Sequence, residues 1–281
     1  MNDPQRGYAT QPLGHESPDV NEGIAPQMGA PVGTTPPVRG RRDNNRLLAL
    51  LLIGLGVALL VGNISGNRQR HDTIGYPLNA AKMVRVRIEG GNGGITLRDG
   101  ATSDAVLNGT VNYKGRLDVE DNGEGERELT FRTQDGGLWS WGNSDSAEWN
   151  LELNRTPVYE IDTEAGNGAT TMDLRQLQVR RLKLEGGNGS LTLFLPKSGA
   201  VEGMIDSGNG AVTITLPPNR PARLEIDTGN GSITAPGLSR PDDGANEGSD
   251  GVYQTPDFDK AKEEDRIDLV IDTGNGSVTV K

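Results

Sequence analysis

The sequence predicts an all-β protein built from repeats of about 21 residues and preceded by one transmembrane helix. Gly-Asn-Gly occurs six times, and four of these copies are spaced by 21 residues. Apolar residues alternate with polar ones on both sides of each copy, as in half-buried strands. An uncharged apolar run, 47–64, stands apart from the repeats. Glycine is 40 of 281 residues, which argues against a helical bundle because an interior glycine costs a helix about 1 kcal/mol.

Residues 1–46 are predicted to be a disordered, Pro/Gly-rich cytoplasmic tail. Residues 47–65 are predicted to span the membrane, because no charge occurs between Leu47 and Asn67 and a span needs about 20 residues. A buried core helix and a cleaved signal peptide are the alternatives. More basic residues precede the span than follow it, which favours an N-terminus inside and a C-terminal domain outside. These are Arg39, Arg41, Arg42 and Arg46 before it, and Arg68 and Arg70 after it.

Residues 66–82 are predicted to be a linker, and residues 83–281 a β-repeat domain. Each repeat has an acid three residues before its central Asn and a Thr four residues after it. The six central residues, which we interpret as structural turn positions, are Asn92, Asn167, Asn188, Asn209, Asn230 and Asn275. Fixed self-similarity at such a period indicates stacked units, since one unit is too small to bury its own apolar face.

Two arrangements of the strands are compatible with this pattern. In a β-solenoid, resembling a single-stranded β-helix, each unit is one rung and identical residues stack in register. In an antiparallel β meander, each Gly-Asn-Gly closes a hairpin. The recurring Asn and Thr favour the solenoid. The glycines are expected to supply positive φ angles, the Asn residues to adopt left-handed turns and form an amide ladder, and the Thr residues to lie on an outer face.

The repeat is interrupted twice. Between Leu97 and Tyr159, the segments 117–119 and 129–131 predict a hairpin around Asn122-Gly123. Between Ala235 and Ile267, a Gly-, Pro- and Asp-rich stretch predicts a loop of some 24 extra residues inserted in a rung.

Candidate binding residues are few. The acids before the turns either accept hydrogen bonds from turn amides, which we favour, or bind Ca²⁺. The tryptophans Trp139, Trp141 and Trp149 are the candidate partner-binding residues; the alternative is a hydrophobic cap on the end of the stack. The sequence has no cysteine and only two histidines, His15 and His71, so we expect no enzyme, metal site or cofactor. A net charge of −11 argues against a nucleic-acid partner.

The stretch from Trp149 to Thr234 resembles the toast-rack, LiaF-like group of bacterial adhesin-type and envelope-stress membrane proteins. The matching text is WNLELNRTPVYEIDTEAGNGATTMDL, LQVRRLKLEGGNGSLTLFLP and SGNGAVTITLP. The resemblance implies a β-helix-like domain outside the membrane, with no catalytic residues and with a role in adhesion or envelope signalling.

We therefore expect a single-pass cell-membrane protein that displays a non-catalytic, adhesin-like β-repeat domain outside the membrane. The expected partner is an envelope polysaccharide or a membrane protein. The alternative function is LiaF-like envelope-stress signalling.

Overall fold

The computed structural model describes residues 69–123, 126–134, 146–241 and 250–281. Within these ranges the chain forms two nine-stranded sheets and two short 3-10 turns, Phe258–Lys260 and Glu263–Asp265, so the predicted all-β class is confirmed. No helix of the described residues is long and apolar enough to cross a bilayer. The predicted tail and the predicted span, 47–65, lie outside the described residues.

The first sheet begins with an antiparallel portion and continues as a parallel one. Its strand order is β1-β4-β7-β3-β9-β11-β13-β18-β15, and the pairs β1/β4 and β4/β7 are antiparallel. The strands are β1 (Arg70–Pro77), β3 (Ile95–Asp99), β4 (Ala105–Tyr113), β7 (Glu148–Leu153), β9 (Thr170–Asp173), β11 (Leu191–Phe194), β13 (Val212–Thr215), β15 (Ile233–Thr234) and β18 (Val278–Val280).

The second sheet is parallel except at its two edges. Its order is β16-β14-β17-β12-β10-β8-β2-β6-β5. The edge strand β16 is antiparallel to β14, and the other edge strand, β5, is antiparallel to β6. The strands are β2 (Met83–Gly91), β5 (Arg116–Asn122), β6 (Arg127–Gln134), β8 (Val158–Ala165), β10 (Gln178–Gly186), β12 (Val201–Ser207), β14 (Ala222–Thr228), β16 (Gly251–Gln254) and β17 (Ile267–Thr273).

Each 21-residue unit contributes one strand to each sheet. A strand of the second sheet leads through Gly-Asn-Gly into a strand of the first sheet, and the next unit pairs with it in parallel. The Gly-Asn-Gly turns therefore join the two sheets and do not close hairpins, so these turns do not form the antiparallel meander. We call one such pair of strands a rung.

The core lies between the two sheets. The inward residues of the rungs are mostly apolar and almost fully buried, because side chains alternate across a strand and one face is turned from solvent. Leu182, Leu184, Leu191 and Leu193 are the inward residues of one rung, each no more than 7% exposed.

The order of the rungs in space differs from their order in the chain. The last rung, β17/β18, pairs with β12/β13 on one side and with β14/β15 on the other. The sequence suggested that an insertion between Ala235 and Ile267 interrupts a rung. The segment 235–266 instead connects the end of one rung, β15, to the start of another, β17. Its strand β16 pairs with β14 on the side opposite to β17. The chain then enters β17, which lies between β14 and β12.

The first interruption of the repeat also extends the end of the stack. β6 and β7 form a further rung next to β2/β3, and the predicted hairpin around Asn122-Gly123 is confirmed as the antiparallel pair β5/β6. Residues 70–77, which we expected to belong to a linker, form β1 and pair with β4.

The glycines of the turns are required by close stacking and not by positive φ, contrary to our expectation. Of the twelve flanking glycines, Gly91 alone has a positive φ, and none of the six central Asn residues is left-handed. A Cβ on Gly189 would lie 1.8 Å from the carbonyl oxygen of Gly168, and one on Gly210 would lie 1.7 Å from that of Gly189. Successive turns thus approach more closely than any side chain permits.

Candidate functional site

The six central asparagines form a continuous amide ladder along the turn edge, as predicted. The Nδ2 of Asn188 donates to the Oδ1 of Asn167 at 2.7 Å, and the Nδ2 of Asn167 donates to the Oδ1 of Asn92 at 2.6 Å. Asn209 donates to Asn188, Asn275 to Asn209, and Asn230 to Asn275. The ladder follows the spatial order of the rungs, so each side chain bonds to neighbours that stack upon it.

The outer face of the first sheet carries a row of hydroxyl side chains. The Thr that follows each Gly-Asn-Gly points outward, and these residues are Cα partners of one another across all six repeat strands. Asn150, Thr110 and Thr73 continue the row over β7, β4 and β1. We call this set the threonine row: Thr234, Thr279, Thr213, Thr192, Thr171, Thr96, Asn150, Thr110 and Thr73.

A second column of small, uncharged residues runs beside the threonine row. It lies two residues before each Thr. The carbonyl oxygens at these positions accept backbone hydrogen bonds from the neighbouring rung, so the column follows the spatial order of the rungs. Its members over the six repeat strands are Ser232, Ser277, Ala211, Ser190, Ala169 and Gly94. Over the six repeat strands the two columns together carry no charged side chain, although 24% of the chain is charged.

Two ion pairs lie at the border of this face. Arg98 donates to Glu152 at 2.6 Å, and Arg175 donates to Asp173 at 2.8 Å while its guanidinium lies 4.8 Å from the ring centre of Phe194. The hydrogen bond from Arg175 holds the pKa of the Asp173 carboxyl below its usual range. A ligand on the threonine row would therefore meet hydroxyls and methyl groups at its centre and these ion pairs at part of its rim.

One half of the outer face of the second sheet is a network of ion pairs. Glu160 accepts hydrogen bonds from Arg85 at 2.6 Å and from Arg180 at 2.9 Å, and its side chain is only 7% exposed. The bond from Arg180 is the largest cause that holds the pKa of Glu160 below its usual range. Arg87 binds Glu164 at 2.6 Å, and Arg132 lies 3.3 Å from Glu89.

The six acids that precede the turns form one column on this second face. They are Cα partners in the order Asp227, Asp272, Asp206, Glu185, Glu164 and Glu89. We expected them to cap turn amides. The hydrogen bonds that the structure gives to this column come instead from Arg87 and Arg132, and Lys183 pairs with Glu185. The acids point away from the sheet, so the column is a surface feature and not part of the turns.

The remaining half of the second face is acidic and partly apolar. Met204 and Val270 are 49% and 45% exposed, the only exposed large hydrophobic side chains among the described residues, and they are Cα partners on β12 and β17. We define the acidic–apolar patch as this pair together with Glu202, Asp206, Glu225, Asp227 and Asp272. Within the described ranges, none of these five carboxylates has an ion-pair partner.

The three candidate tryptophans separate in the structure. Trp149 is fully buried on β7, where its ring packs edge-on against Phe131 with centroids 6.3 Å apart and its Nε1 donates to the carbonyl of Gly90 at 3.4 Å. The assignment of Trp149 to partner binding is therefore corrected: it is a core residue near the end of the stack. Trp139 and Trp141 lie outside the described residues, and their role stays a prediction.

Two buried tyrosines have raised pKa values. Burial raises the pKa of Tyr76 to about 12 and that of Tyr159 further, and the Tyr159 hydroxyl donates to the carbonyl of Asn154 at 2.9 Å. His71 lies on β1 and bonds to Asn112 at 2.5 Å. Among the residues that the structure describes, no group of three or more His, Asp or Glu side chains could hold a metal ion.

Sequence reasoning missed the acidic–apolar patch. The signal was present: Met204 and Val270 occupy strand positions that alternate with buried residues, where the other repeats carry Lys183, Asp162, Arg87 or Glu225. An apolar residue at such a position breaks the repeat. Recognising that both breaks are adjacent requires the spatial order of the rungs, which the chain order does not reveal.

The fold has relatives among solved structures. A "putative cell adhesion protein" from Clostridium sporogenes ATCC 15579 superposes with a TM-score of 0.62 over 76% of this chain and 99% of its own, at 22% identity. A "putative adhesin" from Bacteroides fragilis NCTC 9343 aligns over 78% of this chain and 100% of its own, at 11% identity and a TM-score of 0.25. The first of these shows a shared fold. No curated protein matches the chain.

A match between the amino-acid sequence and a family model identifies the family. Residues 64–215, more than half of the chain, match the N-terminal domain of toast_rack, DUF2154. The match includes four of the Gly-Asn-Gly repeats and the strands β1 to β13. The chain belongs to the toast-rack N-terminal domain family.

Proposed function

We propose that this protein is a membrane-anchored, non-catalytic binding module that holds a neutral envelope polysaccharide on its threonine row. One observation carries the proposal: two adjacent columns of outward residues remain uncharged and mostly hydroxyl-bearing across six strands. The row is about 38 Å long over its nine strands, since neighbouring strands lie about 4.8 Å apart. An extended glycan chain could follow it, with hydroxyls bonding to hydroxyls and sugar faces resting on methyl groups.

The parallel pairing of the units supports a β-solenoid as the scaffold of this module. In-register stacking repeats the same side chain at each strand spacing, which produces an extended surface of one chemistry. The intercalated last rung keeps the register, because its Thr279 lies between Thr213 and Thr234.

Anchoring and placement outside the membrane rest on the sequence before the sheets. The uncharged run 47–65 and the arginines that precede it support a single span with the β-repeat domain outside. Protease added to intact spheroplasts should digest the chain beyond residue 70 and spare the tail. Protection of the β-repeat domain would contradict this orientation.

The binding proposal is tested on the full chain in detergent micelles, with purified neutral capsular polysaccharides and peptidoglycan sacculi as probes. Wild-type protein should co-sediment with a polysaccharide. Thr192→Lys with Thr213→Lys should abolish this by placing two charges in the row, whereas Thr192→Ser with Thr213→Ser should retain most of it. Equal binding by all three proteins would contradict the proposal, as would binding only to isolated membrane proteins.

The alternative, a regulatory role in envelope-stress signalling, is supported by a different surface. The acidic–apolar patch has the chemistry of a protein-docking site, and the predicted cytoplasmic tail could carry a signal across the span. Deletion of residues 1–46 discriminates between the two functions: a signalling protein should lose its response, whereas a polysaccharide-binding module should bind as before.

A further inference from the structure

We infer that the acidic–apolar patch is a docking surface for a cationic, amphipathic segment of another protein. Met204 and Val270 lie side by side at its centre. Large aliphatic side chains with about half their surface exposed occur nowhere else in the described residues. Single exposed apolar residues are ordinary, but a pair in contact positions within a charged face provides an anchor that a partner can cover.

The charge around this anchor specifies the partner. Asp206 and Asp272 follow the apolar pair along their strands, Glu202 precedes Met204, and Glu225 and Asp227 lie on the neighbouring β14. Asp268 is already bound by Arg223, and Lys183 beside Met204 is bound by Glu185. Arg181 is the Cα partner of Glu202, so four carboxylates, Asp206, Glu225, Asp227 and Asp272, have no cation at a paired position, and positive groups of a ligand would complement them.

The other half of the same sheet provides an internal comparison. There every acid of the column that precedes the turns has an arginine or lysine within ion-pair distance, and the corresponding central positions are Lys183, Asp162 and Arg87. In the acidic–apolar patch none of the three central positions carries a cation: Met204 and Val270 occupy two of them and Glu225 the third. Loss of the cations on three rungs, with apolar exposure on two adjacent ones, is the pattern of a surface that a basic partner completes.

Other occupants fit less well. A second copy would bring two acidic patches together, and the chain as a whole carries a net charge of −11. The tail through Arg46 has five acids and five bases, so it offers no net positive charge. Anionic lipid and nucleic acid are repelled. The occupant that remains is a segment with several Lys or Arg residues and one or two apolar side chains, with methionine providing an adaptable contact.

The test uses the full chain in detergent micelles and three synthetic peptides of equal length: one alternating Lys and Leu, one alternating Lys and Ser, and one alternating Glu and Leu. Binding is measured by fluorescence anisotropy at physiological salt. The Lys/Leu peptide should bind, the Lys/Ser peptide about tenfold more weakly, and the Glu/Leu peptide not at all.

Two pairs of variants locate the binding. Asp206→Asn with Asp272→Asn should weaken binding of the Lys/Leu peptide about tenfold, whereas Glu263→Gln with Glu264→Gln, which removes the same charge elsewhere, should change it less than about twofold. Met204→Ser with Val270→Ser should weaken binding about tenfold and leave the melting temperature unchanged, since both side chains are exposed.

Equal losses in the two charge variants would overturn the inference, because the attraction would then be non-specific. So would an unchanged affinity in the Met204→Ser, Val270→Ser variant, or binding of the Lys/Ser peptide as tight as that of the Lys/Leu peptide. Polysaccharide binding should be unaffected by all of these substitutions, so this surface and the threonine row can succeed or fail separately.

Discussion

The turn edge and the outer face of the second sheet are built by the same stacking of rungs, yet they obey different rules. At the turn edge the same residues recur in every rung, because a Cβ at Gly189 or Gly210 would overlap the turn below and because each Asn needs an identical neighbour. On the face the column of acids before the turns recurs, but at the neighbouring outward positions residues of either charge or none occupy equivalent places. Backbone packing explains the strict repetition at the turn edge, whereas the variable outward positions distinguish one half of the face from the other.

Removal of the rung β17/β18 is expected to have the largest effect, because that rung lies between β12/β13 and β14/β15 and contributes to both the turn edge and the charged face. Deleting residues 267–281 removes five buried aliphatic side chains, Ile267, Leu269, Ile271, Val278 and Val280. At about 2 kcal/mol each, their loss is comparable to the whole stability of a domain. We expect the truncated chain to show no cooperative thermal transition by circular dichroism.

The same deletion can also reveal whether the rung β14/β15 can stack directly on β12/β13. Residues 226–232 and 271–277 are identical in sequence, so β14/β15 could in principle move onto β12/β13 when the last rung is absent. A truncated chain with nearly the melting temperature of the full chain would demonstrate that shift and contradict the expected unfolding. Deletion of residues 1–46 is the control and should leave the transition in place.

The next effect belongs to the turn edge alone. Gly189→Ala places a methyl group 1.8 Å from the carbonyl oxygen of Gly168, and the stacked backbones cannot separate without breaking the ladder. We expect a loss of about 3 kcal/mol in the free energy of unfolding, measured by urea denaturation. Gly199→Ala is the control: Gly199 has a φ of 86° with no atom near its missing Cβ, so strain should cost about 1 kcal/mol. Equal losses would show that backbone angle, not stacking, selects these glycines.

These glycines illustrate what the sequence could and could not predict. Period and residue type predicted the Asn ladder and the outward Thr residues, because both follow from in-register stacking. The reason for glycine was wrong, since a positive φ and a close backbone approach select the same residue. The position of the last rung could not be predicted either, because identical turn sequences stack equally well in either order. Trp149 was misassigned because a clustered aromatic sequence does not distinguish core from surface.

A smaller effect is expected in the side-chain ladder. Asn188→Ala removes the bonds to both Asn167 and Asn209, whereas Asn230→Ala removes only the bond to Asn275. These groups are exposed, so each lost hydrogen bond should cost about 0.5 kcal/mol at the lower end of the usual range. Urea denaturation should give a loss about twice as large for Asn188→Ala. Equal losses would mean that the ladder contributes no stability beyond its individual residues.

The smallest effect concerns the charged face and depends on pH. Arg180 and Arg85 hold the pKa of Glu160 below its ordinary value of 4.5, so the ionised carboxylate stabilises the folded chain. That contribution is complete above the unfolded pKa and is lost as the pH falls through the lower, folded pKa. Glu160→Gln should therefore cost about 1 kcal/mol at neutral pH, and the difference from wild type should shrink below pH 4.5. Glu263→Gln, at an exposed site, should leave stability unchanged at neutral pH. A Glu160→Gln deficit that stays constant into acid would show that shape, and not charge, matters at this position, and the contrast between an exacting turn edge and an electrostatic face would no longer hold.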